Sequence, residues 1–228
     1  MRRWRAVLFD LDDTLYPERQ YALSGLRAAA DWADSALGIA AATARHELCL
    51  LFEAGAGGHL FDRWLAGRGL DADGWVPRMV AAYREHSPCI TPYPGAAELL
   101  GRLSTRYRLG LVSDGYLGVQ QRKLSALGLA DHFQAIVFSD ALGRDAWKPS
   151  PRPFQEALRL LSIDAAEAIY VGDNPVKDFI GARRLGMGTL RLRHADGLYR
   201  HLEPADAAAA PDGEIATLDQ LEPALGGN

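Results

Sequence analysis

The chain is poor in cysteine. Its 228 residues hold just two, Cys49 and Cys89, far apart and set in apolar or loop-like sequence. That fits reduced thiols better than a disulfide framework or a cysteine-built metal site. An excess of basic charge is missing too. The formal net charge is −4, and no Lys/Arg run is long enough to follow a phosphate backbone, which argues against a nucleic-acid polymer as partner. The start, MRRWR, is basic, but the apolar run behind it, Ala6–Phe9, ends at an acidic cluster. It is too short for a secretion signal or a membrane span, so no membrane association and a cytoplasmic location are expected. Nucleotide fingerprints are lacking as well. No Gly-x4-Gly-Lys-Ser/Thr occurs, and EAGAGGHLF follows helix-like sequence and lacks the last glycine of a dinucleotide loop. His46-Glu47 has no second histidine at the spacing of a zinc protease.

What is present is the composition of a folded globular protein, 48% hydrophobic and 24% charged. From about residue 93, short apolar runs (RLGLVS, AIVFS, AIYVG, GTLRLR) alternate with helical patterns (AAELLGRL, QQRKLSAL, PFQEALRLL, VKDFIGARRL). Strands this apolar, separated by helices, predict a parallel sheet covered on both faces. AVLFD near the start is a strand of the same kind, and EIATLDQLEPAL supplies a last strand and helix. Residues 17–92 contain no strand-like run and read as Ala-rich helices between two proline-bearing flanks. The expectation is an α/β fold: a doubly wound, Rossmann-like core from residues 1–16 and 93–228, interrupted by an inserted α-helical domain, 17–92.

One stretch, AVLFDLDDTLY, sets the functional question. Asp10, Asp12 and Asp13 place three carboxylates within four positions, which is unfavourable unless something positive sits among them. In an open parallel sheet, ligands bind beyond the carboxyl ends of the strands. Asp10 and Asp12 end the first strand, Ser113 ends RLGLV, Lys148 follows AIVFS, and Asp173 follows AIYVG with Asp178 five residues on.

These segments resemble the haloacid dehalogenase superfamily of phosphohydrolases. VLFDLDDTL matches its Asp-x-Asp-x-Thr-Leu motif, LGLVSDG its strand ending in Ser or Thr, WKPSPRPF its lysine before a helix, and GDNPVKD its Gly-Asp-x4-Asp. All four occur in order, and the helical insertion matches the subfamily with a helical, C1-type cap. The resemblance implies a phosphatase in which Asp10 attacks phosphorus to give an aspartyl-phosphate, while Asp12 protonates the leaving alcohol and later activates water. It implies Mg²⁺ held by Asp10, Asp173 and the backbone carbonyl of Asp12, with Asp178 holding a metal-bound water or orienting Lys148. Ser113 and the amides of Asp114 and Gly115 would hold phosphate oxygens, and Lys148 would offset charge between phosphate and Asp10.

Local signals agree with these motifs. Ser150 reads as a helix N-cap with Pro151 as the first helical residue, and Asn174-Pro175 repeats that logic, putting Asp178 in a first turn. In the insertion, Trp32, Phe52, Phe61, Trp64, Trp75 and Tyr83 read as core, and His59 and Arg63 as candidate substrate contacts. The expected partner is a small phosphorylated metabolite such as a sugar phosphate or mononucleotide. A dehalogenase would not need Asp12, Asp173 and Asp178; a receiver module would not need the insertion. A phosphotransferase or mutase, or a non-catalytic binder of phosphometabolites, uses the same scaffold and stays as the alternative.

Overall fold

The computed structural model of the protein describes residues 4–226, so the first three residues of the basic start lie outside it. In chain order the elements are β1 (Ala6–Phe9), α1 (Glu18–Leu37), α2 (Ala41–Glu53), α3 (Leu60–Ala66), α4 (Ala72–Glu85), α5 (Ala96–Ser104), β2 (Arg108–Ser113), α6 (Leu117–Leu127), β3 (Ala135–Phe138), α7 (Arg152–Leu161), β4 (Ala168–Gly172), α8 (Asp178–Arg184), β5 (Gly188–Leu192), β6 (Gly213–Ile215) and α9 (Leu221–Ala224). The chain separates into two compact units, one of residues up to Glu18 and from Thr91 onward, the other Arg19–Ile90. The crossings fall two residues inside the Pro17 and Pro92 borders read from sequence. Hydrogen bonds account for the shift: Glu18 N donates to Asp13 Oδ1 at 2.8 Å and Tyr93 N to Leu15 O at 2.9 Å, which ties both flanks to the end of β1.

The larger unit is the expected parallel α/β sheet, in the order β3-β2-β1-β4-β5-β6. Every residue of β1 and β4 is buried, as strands covered on both faces must be. Helix α7 shows why the local pattern folds this way. Its Phe154, Ala157, Leu158 and Leu161 fall on one stripe at helical spacing and pack with Leu8, Val112, Tyr170 and Phe179. Helix α5 presents Ala96, Leu99, Leu100 and Leu103 in the same way. Register decides where side chains at the strand ends meet. Phe9 lies level with Leu111 of β2 and with Val171 of β4, so Asp10 emerges one residue past that row and Ser113 and Asp173 emerge two past it.

The smaller unit holds its own core, with Leu26, Ala29, Ala30 and Ala33 of α1 against Leu48, Trp64, Leu65 and Met79. Phe61 and Trp64 are buried, and Trp32, Phe52, Trp75 and Tyr83 pack partly buried around them, so these aromatics are core. Among the described residues no helix is long and apolar enough to cross a membrane. Both cysteines are free thiols.

Two helix starts differ from the sequence reading. Helix α7 begins at Arg152, not at Pro151, and Ser150 Oγ accepts from Arg152 N at 3.4 Å. Pro153, which has no N–H to satisfy, already occupies the first turn, so the start moves one residue on. Asn174 Oδ1 accepts from Val176 N at 2.9 Å, closing a turn ahead of α8, whose first residue is Asp178.

The long connection between β5 and β6 is anchored by a buried arginine. Arg191 donates to the carbonyls of Asp173 (3.1 Å), Tyr199 (2.7 Å) and Leu202 (2.9 Å), and its charge faces Glu214 at 3.4 Å. Arg191→Met keeps much of the volume but strands three carbonyls. It should cost about 3 kcal/mol or more in urea denaturation, since each buried acceptor left unmet costs roughly 1 to 3 kcal/mol; a loss below about 1 kcal/mol would show that water replaces the guanidinium there.

Candidate active site

The three crowded carboxylates have three different fates. Asp10 is buried and its Oδ1 accepts from Lys148 Nζ at 2.8 Å. Asp12 Oδ1 accepts from Lys123 Nζ at 2.7 Å and from Tyr16 Oη at 2.5 Å, and its Oδ2 from Gln120 Nε2 at 2.8 Å. Asp13 is held instead by backbone: its oxygens accept from the amides of Glu18 (2.8 Å) and Leu198 (2.9 Å), joining the β1 loop to the β5–β6 connection. The chain therefore supplies a separate lysine for each of the first two.

Lys148 stands at the centre. Its ammonium is wholly buried and donates to Asp10, to Asp178 Oδ1 at 2.7 Å and to Tyr170 Oη at 2.9 Å. Burial alone would lower its pKa, but Asp10 and Asp178 outweigh burial and hold it well above the ordinary lysine value, so it stays charged. Asp178 Oδ2 accepts from the amides of Asp173 (3.2 Å) and Asn174 (2.8 Å), fixing the loop after β4. Burial raises the Asp178 carboxyl, but Lys148 and Lys177 overcome it and keep it below the usual range. The Lys148 loop is held by Asp114, whose carboxylate accepts from Lys148 N at 3.1 Å and from Ser139 Oγ at 2.5 Å. Gly181 of α8 lets that loop approach: a Cβ there would stand 2.8 Å from the carbonyl oxygens of Pro149 and Ser150.

Asp10, Asp173 and Asp178 each bring a carboxylate oxygen to within 4.8 Å of one another. Burial, reinforced by Asp178, pushes the Asp10 carboxyl up to about 6 even with Lys148 beside it. Burial and the charges of Asp178 and Asp10 push Asp173 well up, and its Oδ2 is buried with no hydrogen-bond partner among the described residues. Three hard oxygen donors with one of them orphaned fit a divalent cation. Ser113 Oγ and Thr14 Oγ1 are likewise buried without partners among the described residues, two polar groups next to the acids in sequence or register. Together the strand ends offer a carboxylate, spare hydroxyls, two cations and oxygen ligands, the parts needed to bind and attack an anionic centre.

Of the residues predicted from sequence, Asp10, Lys148, Asp173 and Asp178 meet in one cluster, with the side chain of Asp114 holding the Lys148 backbone. The Asp12 carboxylate points elsewhere, to Gln120 and Lys123. Gly115 has a φ of +130°, and a Cβ on it would lie 2.6 Å from Gln120 Nε2, so its openness serves the Gln120 side chain. His59 and Arg63 are exposed in the smaller unit, on the turn before α3 and on α3 itself. Sequence reasoning missed Tyr16, Gln120, Lys123, Tyr170 and Lys177. Lys177 Nζ lies 3.9 Å from Asp114 Oδ2; burial and Lys148 work to lower its pKa, yet Asp10, Asp178 and Asp114 hold it above normal, so it is a second cation for the site. A signal existed for two of these residues. Gln120 and Lys123 occupy the buried stripe of α6 with Leu124 and Leu127, where the period calls for apolar side chains.

A family model for haloacid dehalogenase-like hydrolases matches residues 4–186. The chain is 36% identical over 223 residues, 92% of each chain, to a protein of Methanopyrus kandleri named glyceraldehyde 3-phosphate phosphatase. Among solved structures it resembles the HAD-hydrolase YfnB of Bacillus subtilis bound to magnesium, with a TM-score of 0.71 and 23% identity over 98% of this chain and 99% of that one. It also resembles a 2-haloacid dehalogenase of Pseudomonas syringae, with a TM-score of 0.67 and 27% identity over 98% of each. With the motifs in order, the sheet topology and a family match over most of its length, the chain belongs to the haloacid dehalogenase-like hydrolases.

Proposed function

We propose that the protein is a Mg²⁺-dependent phosphatase that hydrolyses a small phosphorylated metabolite through an aspartyl-phosphate on Asp10. The observation that carries this reading is the buried Asp10–Lys148–Asp178 cluster at the end of the central strand, with an orphaned Asp173 oxygen beside it. Asp10, Asp173 and the backbone carbonyl of Asp12 would hold Mg²⁺, which when bound offsets negative charge between phosphate and nucleophile. Asp10 attacks phosphorus in line as the ester bond breaks, and water then attacks the aspartyl-phosphate and frees Asp10. Asp12 gives a proton to the leaving alcohol and takes one from the water. Lys148, whose three donors go to Asp10, Asp178 and Tyr170, offsets negative charge between the phosphate and Asp10. Ser113 Oγ, the amides of Asp114 and Gly115, and Lys177 hold the other phosphate oxygens. The helical unit takes the role of cap, with His59 and Arg63 as its candidate substrate contacts. Attack on carbon, as in a dehalogenase, needs no acid at the second position, and Asp12 therefore favours phosphorus. The name of the Methanopyrus kandleri relative makes glyceraldehyde 3-phosphate the first ester to test.

Three measurements test the reading. Hydrolysis of 4-nitrophenyl phosphate and glyceraldehyde 3-phosphate should require Mg²⁺, stop with EDTA and fall by about 10⁴-fold or more in Asp10→Asn, the scale of deleting a nucleophile; near-normal turnover would remove Asp10 from the role. Asp12→Asn should slow an alkyl phosphate far more than an aryl phosphate, whose leaving group needs little protonation, and equal losses would argue against an acid.

The third measurement uses stability. Folding raises the carboxyls of Asp10, to about 6 from 3.8, and of Asp173, so the metal-free protein loses stability as pH climbs from the unfolded value through the folded one. A cation that binds the ionised forms offsets this loss. The gain in Tm from Mg²⁺ should therefore be larger at about pH 7 than at about pH 5, and Asp173→Ala should abolish most of it. A gain equal at both pH values, or intact in the variant, would strike Asp173 from the ligand set.

A further inference from the structure

The Asp12 carboxylate is held on three sides. An ionised carboxylate offers about four lone-pair positions, two on each oxygen. On Oδ1 both are taken, by the Lys123 ammonium at 2.7 Å and the Tyr16 hydroxyl at 2.5 Å. On Oδ2 one is taken, by the Gln120 amide at 2.8 Å. All three partners donate and are themselves buried: a glutamine amide does not titrate, burial and then Asp12 push the Tyr16 phenol far up, and Lys123 is paired with Asp12 and, at 3.8 Å, with Glu18. The Asp12 side chain nonetheless keeps 15% of its surface exposed.

The holder is built into helix α6. Gln120 and Lys123 are three residues apart, on one face, and reach the β1 loop side by side. The Gln120 side chain crosses the backbone at Gly115, occupying the space that a Cβ would fill, and its Nε2 also donates to the Asp114 carbonyl. A side chain threaded between the Ser113–Gly115 turn and Asp12 is not needed to fill the core, where the stripe positions Leu124 and Leu127 do that work.

We propose that Gln120 and Lys123, with Tyr16, are positioning residues that fix the Asp12 carboxylate so that one lone pair, on Oδ2, is left to carry the proton of the reaction. The proposal rests on the phosphatase reading above. In the first step Asp12, having taken a proton from solvent onto Oδ2 once the substrate is bound, passes it to the ester oxygen as the P–O bond breaks and the bond from Asp10 to phosphorus forms; the electron pair of the broken bond stays on the alcohol. In the second, Oδ2 takes a proton from water as the water oxygen bonds to phosphorus and the Asp10–phosphorus bond breaks. Both transfers use the same atom. Without the hold, Asp12 turns about its side-chain torsions and presents either oxygen in many directions.

The test compares Gln120→Leu, Lys123→Met and Tyr16→Phe with the wild-type protein, in Mg²⁺, on glyceraldehyde 3-phosphate and on 4-nitrophenyl phosphate. General acid–base catalysis is worth about 10² to 10⁴ in rate. Loss of the hold should lower kcat on the alkyl ester by about thirtyfold in Gln120→Leu and Lys123→Met, and several-fold in Tyr16→Phe, with an aryl-ester loss about ten times smaller in each. In an Asp12→Asn background, adding Gln120→Leu should then cost less than about twofold, because its effect acts through Asp12. Equal losses on both esters, no loss on either, or a full additional loss in the Asp12→Asn background would overturn the proposal. Tyr16→Phe removes one donor at almost constant volume, so it carries the same comparison if a buried α6 variant fails to fold. A wild-type protein inactive on both esters would overturn the phosphatase reading and this proposal together, whereas an active one with ester-independent losses would overturn this proposal alone.

Discussion

Everything at the strand ends depends on the Lys148 ammonium. It is fully buried, and so are Asp10 and Asp178, the two carboxylates it joins. A buried charge is tolerable only if it is paired and its remaining hydrogen bonds are met. Lys148 spends its three donors on Asp10, Asp178 and Tyr170, which come from the end of β1, the start of α8 and the middle of β4. Asp114 grips the backbone of the same lysine from the end of β2. One side chain thus draws four separate stretches of chain into a fixed arrangement. Such pairing contributes little net stability. What it contributes is position.

The charge count around it bears on the chemistry proposed. Asp10, Asp173 and Asp178 are balanced within the chain by Lys148 and, farther out, by Lys177, which leaves a negative excess in a buried place. Protons supply part of the balance in the bare protein, as the raised carboxyls of Asp10 and Asp173 record. A hard dication is the other way to meet the same deficit. Asp12 stands apart from this account because Lys123 neutralises it separately, so two neighbouring carboxylates on one loop live in different electrostatic surroundings.

Much of the fold was legible because its signals are local. Four-residue apolar runs between helical stripes specify strand and helix with no knowledge of partners, and AVLF, RLGLVS, AIVF and AIYVG all form strands of the parallel sheet. The acids and Lys148 were legible because each sits at the end of such a strand or just beyond it. Tyr170 was not, since a tyrosine inside a buried strand looks like core until its hydroxyl is seen against an ammonium. Asp13 was read with its neighbours as one crowded cluster, whereas its partners are backbone amides, one of them at Leu198, which no pattern in the sequence singles out. Gln120 and Lys123 did leave a trace: polar residues on an apolar stripe are the visible mark of a buried polar contact.

The pairing of β1 also sets a timetable. The strand that bears Asp10 is made before the other strands of its sheet, but its neighbours are β2, which follows the whole helical unit, and β4, which comes later still. On the ribosome the nascent chain carries Asp10, Asp12 and Asp13 in water, ionised and unpaired, while residues 19–90, with a core of their own, are free to fold. Lys123 then emerges for Asp12 and Lys148 for Asp10, and Asp178 closes the set. The apolar run ahead of these acids waits longest for its sheet, and the carboxylates beside it keep that run soluble until its partners arrive.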